Sequence, residues 1–240
     1  MNLTSIKSPN FSKKTRNINK IRFLIIHYTG MQSMRASIKR LTSIKHKVSC
    51  HYLIGRNGKI FQMVEDNKIA WHAGKSKWGK LKNLNNNSIG IELVNKGHQL
   101  GYQKFSRKQI NALIKLCIKL KKKYKIKNHF ILGHSDIAPL RKSDPGEKFP
   151  WFKLKKKKIG IWYSLSKKNL LFKSSKTKDV RNVFFKNLYK IGYRYFDKKK
   201  SSKADKLIIR SFQRRFRQKK VNGKIDLECL KISANLVKNN

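Results

Sequence analysis

Four side chains stand out by where they sit. His27 lies in the apolar run IRFLIIHYT, residues 21–29, His134 closes a second run, HFILGH, residues 129–134, and Asp144 follows in RKSDPGEK. Strand ends are where side chains emerge into sites. Two imidazoles and one carboxylate suit a three-ligand metal centre that keeps a fourth position open for water, the pattern of zinc hydrolases. Asp144 precedes Pro145-Gly146, a turn sequence that would fix its direction. Glu92 sits in SIGIELVN, residues 88–95, on the strand face opposite Ile89, Ile91 and Leu93, beside Gly90. A carboxylate inside an apolar strand is costly unless it is paired or used, and general acid–base work is one use. Each residue also has a plainer explanation: a hydrogen-bonded core histidine, a turn-capping aspartate, a solvent-facing glutamate. The four together favour chemistry.

Composition narrows the rest. The stretch GHSDIAPLRKSDPGEKFPW, residues 133–151, carries three of the chain's 11 carboxylates among 60 Lys+Arg, a formal charge of +49. Cations already supply solubility, so these acids need another reason. Of the 60 cations 47 are Lys, spread through every segment. Nucleic-acid readers lean instead on bidentate Arg, so the charge reads as compositional drift or as affinity for a polyanion, and nucleic acid is not the expected partner. The first twenty residues are polar and basic with no apolar core, so no signal peptide is expected. The run FLIIHY is too short to span a bilayer. Cys50, Cys117 and Cys229 are dispersed and unpaired in sequence, against a disulfide framework or an all-cysteine metal site.

The elements that must position these residues are legible from periodicity. IRFLIIHYT and HFILGH read as buried strands, and a helix is expected near Arg35 to Lys45. HYLIGRNGKIFQMV is two apolar runs joined across Asn57-Gly58, a hairpin. Ser106 reads as the N-cap of a helix with Ile110, Leu113, Ile114, Cys117, Leu120 and Tyr124 on one stripe. The expected fold is α/β, a mixed central β-sheet flanked by helices, over residues 1–163. A Ser/Lys-rich linker, 164–178, then leads to a small three-helix unit, 179–240. In that unit Phe184, Leu188 and Ile191 line the first helix, and Ala204, Leu207, Ile208, Phe212 and Phe216 the second.

IIHYT, VSCHYLIGRNG, AWHAG, SIGIELVN, GHSDIAP and RKSDPGEKFPW, in this order, resemble the zinc-dependent N-acetylmuramoyl-L-alanine amidases of the Amidase_2 family, nearest the AmpD and AmiD branch. The likeness covers about residues 19–163; LYKIGY, IIRSFQRRFR and NGKID more loosely resemble a small peptidoglycan-binding domain. The resemblance implies a zinc ion held by His27, His134 and Asp144, with Glu92 as catalytic acid/base and Lys142 steadying the oxyanion. It places His51 as a structural residue, and His72 and Trp71 beside the substrate cleft. Arg141, next to the catalytic loop, could take stem-peptide carboxylates. The implied activity is hydrolysis of the bond between N-acetylmuramic acid, or its 1,6-anhydro form, and L-alanine, in peptidoglycan or muropeptides, by a monomer. Two other readings stand beside it. One is a binding-only protein of the same fold, although such relatives lack a zinc ligand and this chain keeps all three. The other is a basic nucleic-acid-binding module, supported only by SFQRRFRQKK. The missing signal peptide points to the cytoplasm and the wall-binding unit to the envelope. Asp136 and Glu147 receive no role.

Overall fold

The computed structural model describes residues 3–165, 180–197 and 201–239; residues 166–178 of the expected linker lie outside them. The strands are β1 Leu3–Ser5, β2 Phe11–Thr15, β3 Phe23–Tyr28, β4 Tyr52–Ile54, β5 Ile60–Gln62, β6 Lys68–Ala70, β7 Lys77–Trp78, β8 Leu81–Lys82, β9 Ser88–Leu93 and β10 Ile131–Gly133. The helices are α1 Met34–Thr42, α2 Arg107–Lys123, α3 His134–Ile137, α4 Trp151–Lys156, α5 Val180–Ile191, α6 Asp205–Phe216 and α7 Leu227–Lys238. Six strands form the central sheet in the order β1-β5-β4-β9-β3-β10. β4, β9, β3 and β10 run parallel, and β5 pairs antiparallel with β4, so the sheet is mixed. The β4–β5 hairpin turns at Gly58, whose φ of +87° suits glycine.

Both faces of the sheet are covered, which is why β3 and β9 are buried along their length. Leu24 and Ile26 of β3, with Ile89, Ile91 and Leu93 of β9, pack against Ile110, Leu113, Leu116, Cys117 and Leu120 of α2. Ser106 caps that helix by accepting from the Gln109 N–H. On the other face, Phe23, Ile25 and Leu132 join one apolar cluster with Phe184, Leu188, Ile208, Phe212 and Ile232 of α5, α6 and α7. Strand alternation therefore places His27, two residues after Ile25, on the face that the C-terminal helices cover. The stripe expected along α6 shifts by one contact: Leu207 is exposed while Ile209 is buried, because the helix turns Ile208, Phe212 and Phe216 to the cluster. Among the described residues no helix is long and apolar enough to cross a membrane.

Candidate active site

Register brings the first two residues together. β3 and β9 pair in parallel with His27 opposite Glu92, so both side chains leave the same face at the strand ends. His134 starts α3 directly after β10, the other neighbour of β3. The chain then loops back, and the Ser135 N–H donates to the Asp144 carbonyl at 2.8 Å, which returns Asp144 to His134. His27 Nδ1 lies 2.9 Å from His134 Nδ1 and 3.1 Å from Asp144 Oδ2, and His134 Nδ1 lies 3.1 Å from the same oxygen. All three side chains are buried.

The hydrogen bonds behind the rings decide which nitrogens carry protons. The Ser88 hydroxyl donates to the Leu84 carbonyl at 2.6 Å, so Ser88 Oγ must accept from His72 Nε2–H at 3.0 Å. His72 Nδ1 is then an acceptor, and the donor 3.0 Å away is His27 Nε2–H. His27 Nδ1 is left bare. On the other side His134 Nε2 lies between the Ala73 carbonyl at 3.2 Å, which can only accept, and Arg141 Nη2 at 3.3 Å, which can only donate. The two Nη2 hydrogens already go to the Ala73 and Lys75 carbonyls, so Nε2 carries the proton and His134 Nδ1 is bare as well. Two lone pairs and a carboxylate oxygen thus converge within about 3 Å, an arrangement that repels itself without a cation. A tetrahedral zinc with bonds of about 2.0–2.2 Å would set its donors roughly 3.3–3.5 Å apart, close to this triangle. The donor chemistry and the geometry fit such an ion.

The electrostatics agree. Burial and the neighbouring His134 hold the His27 imidazole down to about 4, so it is neutral at physiological pH. Burial works against Asp144, yet the two imidazoles keep its carboxyl well below the usual range. Glu92 is the opposite case. Burial and the Asp144 charge push it up to about 8, with Lys142 pulling the other way. Its Oε2 is buried with no hydrogen-bond partner, which rules out the solvent-facing and structurally paired readings of this residue.

The triad opens on a cleft of about 330 Å³ lined by Glu92, Lys142, Arg141, Arg40, Gln99 and Tyr28 among others. Arg40, in α1, carries no signal in the sequence beyond its charge. Arg141 spends part of its fork on backbone: Nε donates to the Lys75 carbonyl at 3.2 Å and Nη2 to the carbonyls of Lys75 and Ala73. His72 lines the inner wall, locked between His27 and Ser88, and Trp71 lies outside the lining residues, its backbone N–H donating to Ser49 Oγ. His51 sits one layer deeper, where its Nδ1 accepts from the Gly90 N–H at 3.0 Å. Glu147 braces the loop rim through His98 Nε2 at 3.1 Å, and His98 meets Tyr28 Oη at 2.8 Å.

Fold and site agree on a class, hydrolases that carry a candidate His-His-Asp metal site on a mixed α/β sheet. The chain belongs to the N-acetylmuramoyl-L-alanine amidase family, Amidase_2, whose family model matches residues 17–147. It is 36% identical over 234 residues to N-acetylmuramoyl-L-alanine amidase AmiD of Escherichia coli K12, covering 91% of this chain and 83% of that protein. It is 35% identical to 1,6-anhydro-N-acetylmuramyl-L-alanine amidase AmpD of Haemophilus influenzae, over 61% of this chain and 86% of that one. A solved complex of E. coli AmiD with the substrate anhydro-N-acetylmuramic acid-L-Ala-D-gamma-Glu-L-Lys superposes with a TM-score of 0.82 at 31% identity, covering 95% and 92% of the two chains. The crystal structure of AMPDH3 from Pseudomonas aeruginosa with anhydromuramic pentapeptide gives 0.83 at 31% identity and 98% of both chains. The AmiD and AMPDH3 structures cover nearly the whole chain and so run through the C-terminal helices as well as the sheet, whereas the family model ends at residue 147.

Proposed function

We propose that this chain hydrolyses the amide between N-acetylmuramic acid, or its 1,6-anhydro form, and L-alanine of the stem peptide, with one zinc ion held by His27, His134 and Asp144. One observation carries the proposal: two bare imidazole nitrogens and a carboxylate oxygen converge beside an orphaned, buried Glu92. Zinc at such a site supplies Lewis acidity, polarising a carbonyl and making water a nucleophile near neutral pH. Glu92 takes the proton from the attacking water and returns it to the leaving amine; a carboxyl raised by burial suits both halves of that task. Lys142, on the cleft wall, donates to the oxyanion as it develops. Arg40 and Arg141 give the cleft cations for the carboxylates of the stem peptide. We read residues 179–240 as a peptidoglycan-binding-like unit on their sequence resemblance.

Incubation with anhydro-N-acetylmuramic acid-L-Ala-D-γ-Glu-L-Lys and mass spectrometry tests the reaction: the expected products are the free tripeptide and the anhydro sugar acid. Intact substrate after incubation with zinc-loaded protein would overturn it. Glu92→Gln should keep zinc and lose at least about a hundredfold in turnover, the usual scale of general acid–base catalysis.

A further inference from the structure

Asp136 and Arg215 are 79 residues apart in sequence and meet in the core. Asp136 sits in α3, the short helix that begins with His134. It is 1% exposed, and both of its oxygens are engaged. Oδ2 accepts from the Gly133 N–H at 2.8 Å and from Arg215 Nη1 at 2.5 Å; Oδ1 accepts from the Tyr193 hydroxyl at 2.6 Å. The same guanidinium donates through Nη2 to the Ile131 carbonyl at 2.9 Å and lies over the Trp151 ring. One helical turn earlier, the Ser211 hydroxyl donates to the Ser135 carbonyl at 2.7 Å. Tyr193 packs edge-on against Trp78, and the Gly79 N–H donates to the Gly192 carbonyl at 2.9 Å.

Apart from the Gly133–Asp136 bond within the turn and the stacking of Arg215 on Trp151, these contacts run from the C-terminal helical unit to the backbone or carboxylate of residues 131–136, or to the β7–β8 hairpin beside them. Residues 131–136 set the exit of β10 and hence the direction in which His134 points. A flexibly tethered module has no need of a buried Arg that donates one nitrogen to the Asp136 carboxylate and another to the Ile131 carbonyl beside the turn carrying His134, because burying that charge costs free energy unless its partners are fixed.

We infer that the helical unit is a built-in support of the metal site, in which Arg215 and Tyr193 grip Asp136 and so hold the turn that aims His134. They are positioning residues, acting through Asp136 and touching neither metal donors nor cleft. The inference rests on the proposed zinc site.

The test uses the full chain and three variants, Arg215→Met, Tyr193→Phe and Asp205→Asn. Asp205 pairs with Arg181 inside the same helical unit at 2.7 Å, which makes its variant a control for stability alone. Melting temperature, zinc affinity by competition with a chelator at 25 °C, and kcat and KM separately are read for each. Arg215→Met and Tyr193→Phe should weaken zinc binding about three- to tenfold, at or below the lower end of what loss of a metal site's supporting groups costs. They should lower kcat with KM little changed, because the cleft walls remain. Asp205→Asn should lower the melting temperature and leave zinc affinity at the parent value. Should Arg215→Met fail to fold, Tyr193→Phe, which removes one hydroxyl, decides. Parental zinc affinity and kcat in Tyr193→Phe would overturn the inference while the zinc site stands. A parent chain that binds no zinc would instead overturn the reading of the site itself.

Discussion

Glu92 and His72 show how little a side chain's identity says before its partners are known. Both sit against β9, and both are buried. Glu92 was legible as a candidate because an unpaired carboxylate in an apolar strand needs a reason. His72 was assigned to the cleft by motif, and its actual contacts are a ring-to-ring bond with His27 and a bond with Ser88. No local pattern announces that chain of hydrogen bonds, since its members are residues 27, 72, 84 and 88, drawn from β3, a loop, the 3-10 turn Leu84–Asn87 and β9. Ser88 looks from sequence like an ordinary strand residue, yet it fixes the tautomer of His72 and through it that of His27. Ser88→Ala removes the acceptor for His72 Nε2–H together with the donor to the Leu84 carbonyl. It should therefore lower zinc affinity by about tenfold, as loss of supporting groups does at other metal sites, with the fold intact. Competition with a chelator checks this, and parental affinity would show that the tautomer is set elsewhere.

Elements that depend on near neighbours were legible: β3, β9 and β10 from their apolar runs, the β4–β5 hairpin from Asn57-Gly58, and α2 from its cap and stripe. The β1 and β2 strands were not, because MNLTSIKSPNFSKKT has no alternation; β1 gains order by pairing with β5, and β2 with β6. The β7–β8 hairpin is two residues a side and was likewise invisible. The turn carrying His134 announces the candidate ligands His134 and Asp144 but not Asp136, whose partners are 57 and 79 residues distant. Gly90 lacks a side chain for a reason that only the structure shows. A Cβ there would fall 2.3 Å from His72 Cγ, so the ring occupies the space a side chain would need. Gly90→Ala should cost about 1–3 kcal/mol, the usual range for overpacking a filled core. Urea denaturation measures it; a loss under half a kilocalorie would mean that His72 can move aside freely.

At the scale of the molecule, the charge of +49 hides a division of labour. Among the described residues the buried cations are Arg16, Arg215 and Arg217, with no lysine beside them. Arg16 donates to carbonyls of Asp66, Asn85 and Ser88, Arg215 to Asp136 and Ile131, and Arg217 to Asp226 and Asn222. A planar fork can satisfy several fixed acceptors where an ammonium cannot. In a lysine-rich chain the 13 arginines were thus the signal for buried polar joints, and SFQRRFRQKK, which looked like a nucleic-acid stripe, supplies two of them.

Buried histidines set the acid limit of the metal-free protein. Burial lowers His27 to about 4 and His51 to about 3, and lowers His72 as well, so all three are neutral when folded and take up protons only on unfolding below about 6.5. Their contribution is complete above pH 6.5 and is lost as the pH falls. Glu92 acts the other way, since its folded value is raised to about 8 and it holds a proton that the unfolded chain releases above 4.5. The histidines outnumber it. Stability should fall by up to about 2–3 kcal/mol per unit between pH 6 and 5. Urea midpoints of chelator-treated protein at pH 7 and 5 check the sign; a higher midpoint at pH 5 would contradict it.

In the proposed reading, one zinc at His27, His134 and Asp144 makes this chain an amidase. The most direct measurement strips the protein with a chelator, returns zinc in steps, and follows release of the peptide from anhydro-muropeptide. Activity should be absent at the start and rise linearly to a break at one zinc per chain. Full hydrolysis by the stripped protein, or none at one equivalent of bound zinc, would contradict it.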